Sequence, residues 1–173
     1  LLLIGPTGVG KTETAKAIAR LIYRDPSRMV RIDLSEYSTP DAARRLIGDA
    51  YGGEGVLTGA IRAQPFSLVL LDEFEKADHG VFDLLLQVLG EGRLTDARGR
   101  LADFRNSIVL MTSNLGVESY RGTPLGLVDT QSGDGRLEKH FEQQVRSFLR
   151  PEMYNRIDRV IAYRPLTTSS ITK

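Results

Sequence analysis

Between the apolar run Leu1-Leu2-Leu3-Ile4 and a segment of helical periodicity lies Gly5-Pro6-Thr7-Gly8-Val9-Gly10-Lys11-Thr12. The pattern G-x-x-x-x-G-K-[ST], after a strand and before a helix, is that of a phosphate-binding loop. Its glycines let successive backbone N–H groups turn inward around a β-phosphate, and the following helix adds the positive end of its dipole. Lys11 is placed to reach the β- and γ-phosphates, and the Thr12 hydroxyl to ligate Mg²⁺. A Gly-rich turn without a ligand is the plain alternative, and it does not need the lysine and the hydroxyl at these two positions. A chain that begins strand–loop–helix in this way is directed toward an α/β fold with parallel strands.

The rest of the sequence keeps that promise. Short apolar runs at 1–4, 28–33, 67–72, 107–112 and 159–163 read as strands buried on both faces. Helical patterns fall between them at about 11–24, 40–47, 56–64, 79–90 and 135–149. In the fourth of these, Val81, Leu84, Leu85 and Val88 form one apolar stripe. Asp96-Ala97-Arg98-Gly99 is a turn flanked by Arg93-Leu94-Thr95 and Arg100-Leu101-Ala102, which predicts a small hairpin. Stretches 52–55 and 129–135 are rich in small and polar residues and read as surface loops. The length of 173 residues fits one domain. Because Leu1 to Ile4 reads as a buried strand with nothing before it, the domain is expected to start upstream.

Composition removes several classes of chemistry. There is no Cys and no Trp, and His79 and His140 are the only imidazoles, so thiolate metal sites, disulfides and His-rich relays are excluded. Lys plus Arg number 23 against 22 for Asp plus Glu, so no global basic excess is available to grip a nucleic-acid backbone. The longest apolar runs fall far short of the ~20 residues a membrane span needs.

Two further strand ends belong with the loop. Leu68-Val69-Leu70-Leu71 runs into Asp72-Glu73, and in a parallel sheet ligands gather at the carboxyl ends of strands. Asp72 suits the Mg²⁺ shell and Glu73 is placed to orient and deprotonate an attacking water. The strand at 107–112 ends in Ser113-Asn114, which puts an amide where it could meet the γ-phosphate or the water. An Asn at this place is also a common turn or capping residue.

Together these segments resemble the second ATPase module of the Clp-type AAA+ unfoldases and disaggregases, the ClpB/ClpA/ClpC group. The likeness is carried by GPTGVGKTE (5–13), IDLSEYS (32–38), RLIG (45–48), LLDEFEKA (70–77), VFDLLLQVLGEGRLTD (81–96), DFRN (103–106), MTSNLG (111–116) and RPEMYNRID (150–158). It implies the AAA+ large subdomain over 1–164, with a mainly parallel five-stranded sheet flanked by helices and a small β-hairpin insertion. Residues 165–173 are then the start of a hinge to a helical lid. It also implies ATP with Mg²⁺ as cofactors, hydrolysis in a homo-oligomeric ring, expected to be a hexamer, cytoplasmic location, and unfolded or aggregated polypeptide as substrate.

By the same likeness Asn114 is the sensor-one residue. Arg156 is the arginine finger that serves a neighbouring subunit in trans, with Arg150 as a second candidate; read alone, Arg156 could instead pair with Asp158. The segment after RLIG is shorter than the family's pore loop. Either the loop is reduced or residues belong between Ala50 and Tyr51, and Tyr51 is a substrate-gripping candidate or an ordinary loop residue. The hairpin offers Arg98 and Arg100 to the channel. Leu125-Gly126-Leu127 is a loose match to the tripeptide that docks a ClpP-like peptidase, with an ordinary loop as the plainer reading. The rival function is a nucleic-acid-associated AAA+ ATPase of the loader type, for which Arg20, Arg24, Arg28 and Arg31 are the one local basic cluster.

Overall fold

The computed structural model describes residues 1–121 and 133–164. Strands β1 (Leu2–Ile4), β2 (Met29–Asp33), β3 (Leu68–Asp72), β6 (Ile108–Ser113) and β7 (Val160–Ala162) form one sheet in the order β2-β3-β6-β1-β7. Every pairing in it is parallel, and the register sets Ile4 beside Ser113 and Asp33 beside Asp72. The α/β class, the five parallel strands and the hairpin all take the form predicted. That hairpin is the antiparallel pair β4 (Arg93–Thr95) and β5 (Leu101–Asp103).

Period-two alternation divides the apolar side chains between two layers. Leu3, Leu68, Leu70 and Leu110 face helix α1 (Lys11–Tyr23), which approaches through the fully buried Ala15 and Ala19. Leu2, Ile4, Val69, Leu71 and Met111 face the larger core. That core is filled from α2 (Ala42–Ile47), α3 (Val56–Ala63), α4 (His79–Glu91), α6 (Gly133–Phe148) and α7 (Pro151–Tyr154). Each buried Leu or Ile contributes roughly 1.5–3 kcal/mol of transfer free energy, and β3, buried at every position, contributes to both layers.

Two helices escaped the sequence reading: α5 (Val117–Arg121) and α7. Both are about a turn long, too short for a 3.6-residue period to show. The third-strand motif ends in a single turn of 3₁₀ helix at Phe74–Lys76. Phe74 in that turn is fully buried and meets Phe82 and Phe148 edge-to-face at 6.2 and 5.8 Å. Phe74→Ala is expected to cost about 3–5 kcal/mol in equilibrium unfolding, because the void left beneath the turn cannot collapse. Residues 125–127 and 165–173, where peptidase docking and the hinge were expected, lie outside the described residues.

Candidate nucleotide site

The topology itself selects the place for a ligand. Strand β1 leads through α1 to β2 on one side, whereas its neighbour β6 leads through α5 to α7 to β7 on the other. Adjacent connections that depart in opposite directions open a crevice at the carboxyl ends of the two strands. Residues 5–12 and Asn114 follow directly from those two ends.

The loop holds its shape through backbone conformations that side chains resist. Gly10, at the start of α1, has φ +100°. Gly5 has φ +149°, and a Cβ there would lie 2.5 Å from the Tyr163 carbonyl oxygen. Both positions therefore require glycine. A cavity of about 320 Å³ opens above the loop, lined by Thr7, Gly8, Gly10, Lys11 and Thr12 on one side and by Arg31, Asp72, Glu73, Thr112 and Asn114 on the other.

Lys11 anchors the centre. Its Nζ donates to the carbonyls of Gly5 and Pro6 at 2.5 and 2.9 Å and to Asn114 Oδ1 at 2.7 Å. Burial pushes its pKa down, opposed by the carboxylates of Glu75, Asp72 and Glu73. Because Asn114 spends its carbonyl oxygen on Lys11, its amide N–H groups remain to donate into the cavity.

Asp72 is nearly buried and has both oxygens engaged: the Thr112 hydroxyl donates to Oδ1, while Arg31 Nη2 and Nε reach Oδ2 at 2.7 and 3.2 Å. The next residue, Glu73, sits in the left-handed region at φ 53°, an uncommon conformation for a side chain-bearing residue. Its N–H donates to Thr112 Oγ1 at 3.1 Å, and its carbonyl accepts from Lys76 N at 2.9 Å. These two bonds hold the strained residue so that its carboxylate lines the cavity; strain retained in this manner is a mark of working sites.

Three contributors went unread in the sequence. Thr112 bridges Asp72 and Glu73. Glu75 Oε1 accepts from Asn114 N at 3.0 Å and so ties the third strand's turn to the sixth strand's end. Arg31 reaches in from the edge strand. The only sequence signal for these residues was proximity to a strand's carboxyl end, where polar side chains are common for many reasons.

The other predicted residues lie elsewhere. Arg156 is exposed, forms no ion pair with Asp158 among the described residues, and rests on α4 so closely that a Cβ at Gly90 would come within van der Waals overlap of its guanidinium. Its surroundings are Leu1, Val88, Phe104 and Asp158, at the amino end of β1. The phosphate-binding loop follows the carboxyl end of that strand, so Arg156 does not face its own loop. Arg150 pairs with Asp83 at 3.0 Å on the surface.

Tyr51 is fully exposed in a loop closed by the bridge between Gly48 and Glu54. Arg98 donates to the Gly52 carbonyl, whereas Arg100 is held by Asp96 at 2.8 Å and lies 3.4 Å from Glu54. Arg62 joins the same group, 3.1 Å from Asp96 and 2.5 Å from Glu54. Burial raises the Asp96 pKa, but the backbone amides of Arg100 and Arg98 and the guanidinium of Arg100 outweigh it and the net shift is downward. Glu54 is also lowered, chiefly by the hydrogen bond from Arg62. Carboxyls depressed in the fold contribute their stability above the unfolded pKa near 4, and that stability is lost only as pH falls below it. The loop and the hairpin therefore stay joined throughout the neutral range.

A strand–loop–helix phosphate cradle, acidic residues at the next strand end and an amide at the third define a P-loop nucleotide-binding domain. The chain belongs to the AAA domain family (Cdc48 subfamily), whose family model matches residues 1–160. It is 43% identical over 180 residues to the chaperone protein ClpB of Aquifex aeolicus (strain VF5), a match that covers 99% of this chain and 18% of that protein. It is 44% identical over 176 residues to the chaperone protein ClpC3, chloroplastic, of Oryza sativa subsp. japonica, covering 96% of this chain and 19% of that one.

Solved structures agree. A closed-state cryo-electron-microscopy reconstruction of Hsp104 with ATPyS and FITC casein superposes with a TM-score of 0.82 at 35% identity, covering 98% of this chain and 29% of the other. An S. cerevisiae Hsp104–ADP complex gives 0.81 at 35% identity, covering 98% and 30%. The chain thus spans about a fifth of the length of the curated relatives it matches.

Proposed function

We propose that this chain is the ATP-hydrolysing motor module of a Clp-type ring chaperone that remodels or threads polypeptide. The observation that carries the reading is the convergence of Lys11, Thr12, Asp72, Glu73 and Asn114 on one cavity, with Arg156 at the opposite end of the first strand. Five groups from three strand ends serve one phosphate chain. The sixth, exposed and away from its own loop, is placed to serve another subunit's site if one lies against this surface. That separation supports assembly into a ring, expected to be a hexamer, and relatives named as chaperones and an Hsp104 structure containing casein support polypeptide as the material handled.

In this reading the loop amides and Lys11 bind the β- and γ-phosphates, and Asn114 orients the γ-phosphate and the attacking water. Glu73 takes the proton from that water. The donors available to a metal are one hydroxyl, Thr12, and one carboxylate, Asp72. Among the described residues no cluster of three or more acidic or imidazole side chains could hold an ion without a ligand. That donor set fits Mg²⁺, which is bound through one or two protein oxygens together with substrate phosphates, and whose bound charge would offset that developing on the phosphate oxygens. The work left to the protein is positioning and charge stabilisation.

The loader-type alternative is not favoured. Within its basic cluster Arg31 is committed to Asp72, and Arg28 lies 3.8 Å from Asp25. Stimulation of turnover by an unfolded polypeptide, with no response to DNA, is the result expected of the full-length protein; the reverse would select the alternative. Lys11→Ala is expected to weaken nucleotide binding about ten- to a hundredfold in a fluorescence titration, the loss of a charge-assisted hydrogen bond to phosphate.

A further inference from the structure

Asp72 has a resident cation. Strand β2 lies next to β3 with Arg31 beside Leu70, two residues short of Asp72, and the Arg31 side chain runs forward along the sheet edge to reach it. Two guanidinium nitrogens, Nη2 and Nε, converge on a single carboxylate oxygen, Oδ2. The other oxygen is taken by the Thr112 hydroxyl. Of the pair, the Asp72 side chain is 11% exposed and the Arg31 side chain 50% exposed. The carboxylate is fixed, while the guanidinium stands at the rim of the cavity and can leave with little loss of packing.

We propose that Arg31 is a gate on the metal side of the site: it neutralises Asp72 and must give up Oδ2, the oxygen not held by Thr112, before that oxygen can serve a divalent cation, directly or through its water. This rests on the nucleotide-site reading above. Metal binding is then an exchange and not an addition. One cation replaces another on a carboxylate that Thr112 keeps in place, and the metal affinity seen in solution is the intrinsic affinity reduced by the strength of the Arg31–Asp72 pair. A guanidinium left in place would also stand against the incoming ion, so metal entry and Arg31 departure are one event. A bare metal ion competes poorly for Asp72; a metal already carried by nucleotide phosphates brings the additional ligands that tip the exchange.

The test uses the full-length protein and an ATP analogue that is not hydrolysed, labelled with a fluorophore on the ribose. Binding is measured in EDTA and then along a Mg²⁺ titration. Arg31→Gln and Arg31→Met are expected to lower the Mg²⁺ concentration at the midpoint about two- to fivefold, the range for losing a half-exposed ion pair, while affinity in EDTA falls because the Asp72 charge is left uncovered beside the phosphates. Arg31→Lys, which keeps a cation beside Asp72, stays close to the wild-type midpoint. A midpoint unchanged or raised in both neutral variants overturns the proposal, and so does failure of both to fold, which would make the pair structural. If the wild-type protein binds no nucleotide in either condition, it is the nucleotide-site reading itself that falls; if the wild type binds and the midpoints do not move, only the gate does.

Discussion

Glu73→Gln is expected to leave ATP bound and to lower its turnover by about 10²–10⁴-fold, the usual contribution of a positioned general base. The amide keeps the volume of the carboxylate and its ability to accept a hydrogen bond from water, but it cannot take the proton. The backbone should tolerate the change, because what holds residue 73 at φ 53° is its own N–H on Thr112 and its own carbonyl on Lys76, neither of which involves the side chain. A titration with labelled nucleotide alongside a steady-state phosphate-release assay separates the two effects. Turnover that survives in Glu73→Gln would move the base elsewhere. Glu75 would then be examined, although its Oε1 is already committed to the Asn114 amide.

Arg156→Ala is expected to remove about 10³–10⁵-fold of the turnover seen in the assembled ring, the effect of an arginine supplied across an interface to a transferring phosphoryl group. Nucleotide binding to the unassembled subunit should be unaffected, since the residue lies near Leu1 and Val88 and away from its own loop. Mixing the variant with Glu73→Gln subunits gives a sharper readout. In a mixed ring, a site with an intact Glu73 can be served by an intact Arg156 next door, so activity should partly return. No recovery in verified mixed rings would argue against action in trans. Gly90 gives the same surface a second check, for any side chain there would push the guanidinium aside.

The sequence made the strands and the phosphate-binding loop readable because each depends on local rules. Buried parallel strands such as Leu68–Asp72 need uninterrupted apolar residues, and the loop needs glycine at positions such as 5 and 10. The carboxyl-end rule then assigned Asp72, Glu73 and Asn114 to one place, and the register of β1, β3 and β6 does bring them together. What escaped depends on contacts between strands distant in sequence. Nothing in Arg31, in a strand flanked by other arginines, distinguishes a surface charge from the partner of Asp72, which lies 41 positions away. Thr112 looked like an ordinary β-branched strand residue, and its two hydrogen bonds exist only because the third and sixth strands are neighbours. The resemblance offers Arg100 to a channel, and the pairing of its guanidinium with Asp96 inside the hairpin turn is a contact the sequence alone did not announce.

Helix α1 has a consequence for how this domain responds to its ligand. It is the one helix among the described residues that covers its face of the sheet, seated there on Ala15 and Ala19, and its first residues are the end of the phosphate-binding loop. The element that seals a core layer is thus also the element that meets the ligand. Anything bound at residues 5–12 restrains that seal, so unfolding of this layer and release of the ligand are thermodynamically linked. Saturation at a hundred times Kd should add about 2.7 kcal/mol to the stability of the domain. Melting temperature is therefore an occupancy gauge for this site, one that needs neither turnover nor assembly to be read.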